Sequence, residues 1–150
     1  MLVREAKVSD VDTLIAMGHR FLGASPFAPH NTNMVDDDLA WAICNLIDNG
    51  IVFVAEKDGE IVGAIAGQIS SLWFNRRSKV AIELAWWVDE NHRKGRAAIG
   101  LLRFFEEWAI ARGATMIVMS DLTINGDNPL DPLFKKLGYS VVERSHVKGV

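Results

Sequence analysis

The sequence predicts an α/β domain, on three observations. Apolar, β-branched runs of strand length alternate with segments of helical periodicity. An Asp58-Gly59 pair joins two of those runs as a hairpin. The longest organised stretch, Val80 to Arg112, passes from a strand of Val, Ile and Trp through a basic turn into an amphipathic helix. Pattern alone leaves the order of strands in the sheet open.

Each element has its own warrant. Leu2 to Arg4 reads as a short strand, and Ser9 as an N-cap with Asp10 and Asp12 in the first turn. Val11, Leu14, Ile15, Gly18 and Phe21 recur at helical spacing, so a helix is expected to about Leu22. Gly23 to Asn33 has two prolines and reads as a loop. Asp36 to Asp38 open a second helix with their charges at its positive end; Leu39, Ile43, Leu46 and Ile47 form its buried stripe, and Gly50 ends it. Ile51 to Ala55 and Ile61 to Ser70 flank the Asp58-Gly59 turn, with Gly63 and Gly67 marking a bulge or a close backbone approach. Leu72 to Ser78 reads as a looser connection. In the helix after the basic turn, Ala98, Leu101, Leu102, Phe105, Trp108 and Ala109 share one face before Gly113. Met116 to Ser120 reads as a strand covered on both faces. Asn125 to Pro132 is a turn cluster, Leu133 to Leu137 one or two helical turns, and Tyr139 to Glu143 a last strand.

Composition narrows the function classes. The chain of 150 residues suits one domain with a full-sized core. A net charge of −3 argues against nucleic acid as the main partner. No apolar run approaches the roughly 20 residues of a membrane span, no signal-peptide pattern opens the chain, and the single Cys44 cannot form an internal disulfide. A reducing, cytoplasmic setting without a membrane partner is the expectation. Cys44 lies in an apolar helical pattern and reads as a buried, inert thiol. His19, His30, His92 and His146 stand singly, so no metal site is expected.

The chemistry concentrates in the turn His92-Arg93-Lys94-Gly95-Arg96. Free N–H groups and the positive dipole end of the following helix make such a turn an anion site. It lacks the Gly-Lys-Ser/Thr of a Walker loop, and Gly95 and Gly100 do not fit the Rossmann fingerprint. Taken alone, it reads more readily as a solvated basic turn.

The segment Arg93-Lys94-Gly95-Arg96-Ala97-Ala98 resembles the Arg/Gln-x-x-Gly-x-Gly/Ala loop of the GNAT acetyltransferases. Arg93 and Ala98 match; Arg96 replaces the middle glycine, with Gly95 one place earlier. Leu133 to Tyr139 is similar to that family's late Phe-Tyr-Glu-Lys-x-Gly-Phe segment, and the order of elements agrees over most of the chain. The resemblance implies a single-domain GNAT-like fold over residues 1–150, with a central mixed, mostly antiparallel sheet and helices on both faces. It implies acetyl-CoA as donor, direct attack by a primary amine of a small molecule or peptide in a ternary complex, and a homodimer. The N–H groups from Lys94 to Ala98 would hold the pyrophosphate, with charge from Arg93, Lys94 and Arg96. Trp86, Trp87 and Val88 would pair with the pantetheine arm, and the Val88 N–H would polarise the thioester carbonyl. Lys57, on the hairpin, is expected to lie far from this loop.

Transfer to an amine needs a proton acceptor, because an alkylamine of pKa near 10.4 is almost wholly protonated at neutral pH. Glu83 sits inside an apolar strand, where a charge is costly unless it is paired or functional. Alternation places it with Ala85 and Trp87, opposite Ile82, Leu84, Trp86 and Val88. It reads either as the base, as the partner of an Arg such as Arg76 or Arg77, or as a Glu at a wet end of the sheet. His19 and His30 are second candidates, His30 lying where the family builds its acceptor pocket. The position where the family often carries an acidic Tyr is Phe134, and the only Tyr, Tyr139, aligns with a core-packing Phe. A thiol of pKa about 8.5 can leave without that acid. Of the five Trp, Trp108 is expected in the core, and at most one of Trp86 and Trp87 in the acceptor cleft. The alternatives are a non-catalytic CoA-binding or protein-binding module of the same fold, and a different phosphate-ligand protein.

Overall fold

The computed structural model describes residues 1–30, 33–123 and 125–150; Asn31 and Thr32 of the expected first loop, and Ile124, lie outside the described residues. Five strands, β1 (Leu2–Glu5), β2 (Ile51–Lys57), β3 (Glu60–Leu72), β4 (Asn75–Val88) and β5 (Met116–Val118), form one sheet in the order β1-β2-β3-β4-β5. The first four are antiparallel neighbours, and β5 runs parallel to β4. The helices are α1 (Val11–Ala24), α2 (Asp36–Asn49), α3 (Ala97–Ala111) and α4 (Asp131–Lys136). Helices cover both faces of the sheet. On one face Leu101, Phe105 and Ala109 of α3 meet Phe53, Ile65 and Ala81. On the other, Leu14 of α1 and Ile43 of α2 meet Val52 and Val54.

The turns follow their residues. Asp58 and Gly59 both have positive φ (54° and 84°), as a two-residue hairpin turn of matching twist requires. Gly67 is forced by proximity: a Cβ there would lie 2.4 Å from the Ile82 carbonyl oxygen and 2.6 Å from the Phe105 ring. α3 therefore presses onto the sheet at the point where the β3–β4 register shifts, between Ala66 and Gly67.

Several expectations are corrected. Ser9 is not the cap of α1: a 3-10 turn, Val8–Asp10, precedes the helix, and Asp10 accepts from the Lys7 N–H at 2.8 Å and from Arg4 at 2.7 Å. Leu72 to Ser78 is no loose connection. The Leu72 N–H donates to Ser78 Oγ at 2.8 Å and Ser78 Oγ to the Asn75 carbonyl at 2.7 Å, so both strands continue to a tight turn at Trp73-Phe74. β5 is shorter than expected and not covered on both faces; Met116 is exposed. Tyr139 to Glu143 forms no strand. Tyr139 is pinned to α3 and α4, its hydroxyl donating to Glu106 at 2.7 Å and its N–H to the Phe134 carbonyl at 2.9 Å, and residues 140–150 then run exposed along the surface. Trp41 and Trp73 are exposed, and Cys44 is only half-buried.

Candidate active site

The site grows from the behaviour of β4. Its first part is laddered on both sides: Val80, Ala81 and Ile82 pair with Met116, Ile117 and Val118 of β5, while β3 pairs along the other edge. Beyond Ile82 the β5 pairing stops, and Glu83 to Val88 keep only β3 as a neighbour. The Asp89 N–H donates to Val62 of β3 at 2.9 Å. Successive N–H groups of a strand point to opposite edges, so the N–H of Val88 faces the open side. The backbone there is an unpaired strand edge, a template for an extended ligand.

Opposite Ala66 stands Ala85 and opposite Gly67 stands Glu83, which makes Leu84 an extra residue on β4. This bulge resets the alternation. Glu83 shares Gly67's face, the α3 side, and so do Trp86 and Val88, which lie opposite Ile65 and Gly63. The expected separation of Glu83 from Trp86 and Val88 is therefore wrong. A uniform period of two cannot register an inserted residue.

Glu83 is the one buried carboxylate on this stretch, 6 % exposed. The Ser120 N–H, just past β5, donates to its Oε2 at 3.0 Å. Among the described residues no cation pairs with it, and Arg76 and Arg77 are exposed. Burial pushes its pKa up to about 7, only partly opposed by the Ser120 hydrogen bond. Such a carboxylate is poised to take and release a proton near neutrality.

The turn after β4 folds back on it. The Arg93 guanidinium lies over the Trp87 ring at 4.4 Å, and its Nε donates to the Val88 carbonyl at 2.9 Å. Arg93 thus braces the strand end, while Lys94 and Arg96 project to solvent. Gly95 uses its N–H on the His92 carbonyl at 3.1 Å. Arg96 caps α3 with φ −83° and ψ −4°, a conformation that needs no glycine, which accounts for its place at the family's middle glycine. The first-turn N–H groups of Ala97, Ala98 and Ile99 have no earlier carbonyl to bond within the helix. Beside this terminus lies an open pocket of about 340 Å³, lined by His92, Gly95, Arg96 and Ala97 together with Lys57. Lys57 is near the loop, not far from it. Its signal was available in the meander: the hairpin that turns at Asp58-Gly59 returns beside the end of β4, with Gly63 opposite Val88.

Sequence reasoning also missed Arg20 and Asp89. Arg20 of α1 grips Asp89 with two hydrogen bonds, 2.9 and 3.0 Å, and Trp87 Nε1 donates to the same carboxylate at 3.0 Å. Burial would raise the Asp89 pKa, but these donors hold it below the usual carboxylate range. Phe21 meets Trp87 edge-on at 6.0 Å, so α1 is fastened to the end of β4. His19 contacts Asp36 at 2.5 Å, joining α1 to the start of α2, away from Glu83's face. His30 is exposed in a 3-10 turn, Ala28–His30, close to Gly149.

At the expected acid position, Phe134 is buried and packs on Trp86 (6.1 Å) and Tyr139 (5.4 Å). The Tyr139 phenol is held by Glu106, and burial together with that carboxylate pushes its pKa far up. It is a poor acid. The Trp86 indole N–H is buried with no hydrogen-bond partner among the described residues.

A strand that parts from its neighbour and feeds a turn at a helix N-terminus is the arrangement of an acyl-CoA-binding transferase fold. The chain belongs to the GNAT acetyltransferase family, whose model matches residues 16–139. No curated protein matches it. Solved structures of similar fold include a predicted acetyltransferase with acetyl-CoA from Clostridium acetobutylicum, 18 % identical, covering 99 % of this chain and 95 % of its own, with a TM-score of 0.75. A ribosomal-protein-alanine N-acetyltransferase from Brucella melitensis biovar Abortus 2308 is 16 % identical over 100 % of both chains, with a TM-score of 0.73. An aminoglycoside antibiotic 6'-N-acetyltransferase from Acinetobacter haemolyticus is 15 % identical, covering 100 % of this chain and 98 % of its own, with a TM-score of 0.72. At these identities the likeness is one of fold.

Proposed function

We propose that the protein is an N-acetyltransferase that moves an acetyl group from acetyl-CoA to a primary amine by direct attack in a ternary complex. The observation that carries this reading is the open edge of β4 from Glu83 to Val88, ending at the N-terminus of α3. The donor fits that edge chemically. Trp86, Trp87 and Val88 supply backbone groups for the amide-containing arm, Ala97 and Ala98 unpaired N–H groups for the pyrophosphate, and Lys94, Arg96 and Lys57 charge. Gly95 shapes the turn, and Arg93 holds Val88 in place rather than reaching for phosphate.

In this mechanism Glu83 accepts the proton lost by the attacking amine. The Val88 N–H donates to the thioester oxygen as it gains charge, and the C–S bond breaks as the C–N bond forms. The departing thiolate takes its proton from water, since Phe134 and Tyr139 offer none. Fold neighbours named for an aminoglycoside antibiotic and for ribosomal-protein alanine support a small-molecule or peptide amine as the acceptor, and His30, after α1, is its candidate contact. We further infer a homodimer and a cytoplasmic setting. No described helix is long and apolar enough to cross a membrane.

A second reading, a CoA-binding or protein-interaction module without catalysis, is favoured by one observation: Phe134 is packed into the core at the acid position. Native mass spectrometry and thermal shift with acetyl-CoA, CoA and ATP, followed by an amine panel, separate the two. At about 100 times its dissociation constant a specific ligand stabilises by about 2.7 kcal/mol. Acetyl-CoA binding with transfer supports the enzyme, binding without transfer to any amine supports the module, and ATP alone overturns both.

A further inference from the structure

The sheet carries an arm. β2 pairs with β3 only as far as Gly67, and β5 pairs with β4 only from Val80, with Lys79 at the root bonded by the Thr115 N–H, so Gln68 to Ser78 extends beyond both neighbours as a two-stranded ribbon. Its tip is the pair Trp73 and Phe74, 91 % and 67 % exposed, their rings in edge contact at 5.3 Å. Exposed aromatic pairs of this kind mark interaction surfaces. From Ile61 to Ile82 the only charges are Arg76, Arg77 and Lys79. With those three of the 16 Lys and Arg set aside, 13 remain against 19 Asp and Glu, so a basic arm projects from an otherwise acidic protein.

The complement lies on the same chain. Asp37, Asp38 and Trp41 fall on one face at the start of α2, at i,i+4 and i,i+3 spacing. Trp41 is 71 % exposed, and Val35, the residue just before α2, is 53 % exposed. Arm and patch are both apolar, both exposed and opposite in charge. We propose that the β3–β4 arm of one copy docks on the start of α2 of a second copy. Trp73 and Phe74 meet Trp41 and Val35, while Arg76 and Arg77 face Asp37 and Asp38. A two-fold arrangement makes each copy give one arm and receive one, which closes the assembly. Burying the six aromatic rings of such a pair removes on the order of 1,000 Å² from water, the lower bound for a specific interface. This rests on the homodimer reading above and names its surface; it does not depend on the acetyl-transfer reading.

Sedimentation of the full chain tests it, with circular dichroism to confirm that each variant is folded. The wild type should be a dimer at micromolar concentration, weakened by salt. Arg76→Glu/Arg77→Glu and Asp37→Arg/Asp38→Arg should each raise the dimer dissociation constant about 10–100-fold. An equimolar mixture of the two variants should recover dimers, because each arm then meets a patch of opposite charge. Trp73→Ser should dissociate the dimer while circular dichroism shows the fold retained, and its melting temperature should no longer depend on protein concentration. A monomeric wild type overturns the surface and the homodimer reading together. A dimer indifferent to both charge reversals, or a mixture that stays monomeric, overturns the surface alone.

Discussion

The two halves of β4 make the same kind of strand under different obligations. From Val80 to Ile82 both edges are hydrogen-bonded, and Val80 and Ala81 are almost wholly buried. From Glu83 to Val88 one edge is open, a residue is inserted at Leu84, and a carboxylate is buried without a cation. The first half is held by packing; the second stores groups that packing alone would not select. Buried carboxylates and unpaired strand edges are costly, and their coincidence on one segment is the ground for proposing that the chemistry lies there.

The largest effect separating the halves should come from Glu83→Gln. As the base, Glu83 contributes about 10²–10⁴-fold to turnover, so the variant should lose that much while still binding acetyl-CoA. Its wild-type rate should rise with pH through about 7 as the carboxylate ionises, and that limb should vanish in the variant. A fully active Glu83→Gln protein would move the proton to solvent or another group.

The same carboxyl gives a stability test that needs no substrate. Its folded pKa of about 7 exceeds the ordinary 4.5, so the folded state binds more protons than the unfolded chain between those values. Stability should therefore fall as pH rises from about 4.5 to 7, by about 3 kcal/mol in all, and stay level above. Denaturation of Glu83→Gln across the same range should show that slope flattened. An identical slope in both proteins would mean that Glu83 is not buried as described.

In the paired region, Gly67→Ala should destabilise by about 1–3 kcal/mol, because its Cβ must displace Phe105 or the Ile82 carbonyl. Chemical denaturation checks it, and an unchanged midpoint would mean that α3 sits farther from the sheet. The remaining two changes lie at the proposed donor loop, and the second has the smallest effect. Arg93→Ala should weaken acetyl-CoA by about 1.5–3 kcal/mol by releasing the Val88 carbonyl and Trp87. Lys57→Ala, an exposed charge beside the same pocket, should weaken it by about 0.2–1 kcal/mol. Calorimetry showing equal losses would point to unspecific charge.

Much of this was legible in the residues. The strand–turn–helix around Arg93, the Asp58-Gly59 hairpin and the buried stripe of α3 follow from periodicity and turn chemistry, and Glu83 stood out as a charge in an apolar run. The bulge at Leu84 was not legible, because an inserted residue leaves the composition of a strand unchanged. Nor was the Arg20–Asp89 clasp, since nothing local pairs residues so far apart in sequence. The last strand failed for the opposite reason: Tyr139 to Glu143 has strand-forming residues but no partner to ladder with.

Amide hydrogen exchange with and without acetyl-CoA tests the contrast between the halves most directly. Protection should rise at Trp86 and Val88 and at Ala97 to Ile99, and stay unchanged at Val80 to Ile82. Protection confined to other segments, or none at saturating acetyl-CoA, would contradict the assignment of the open half of β4 as the donor site.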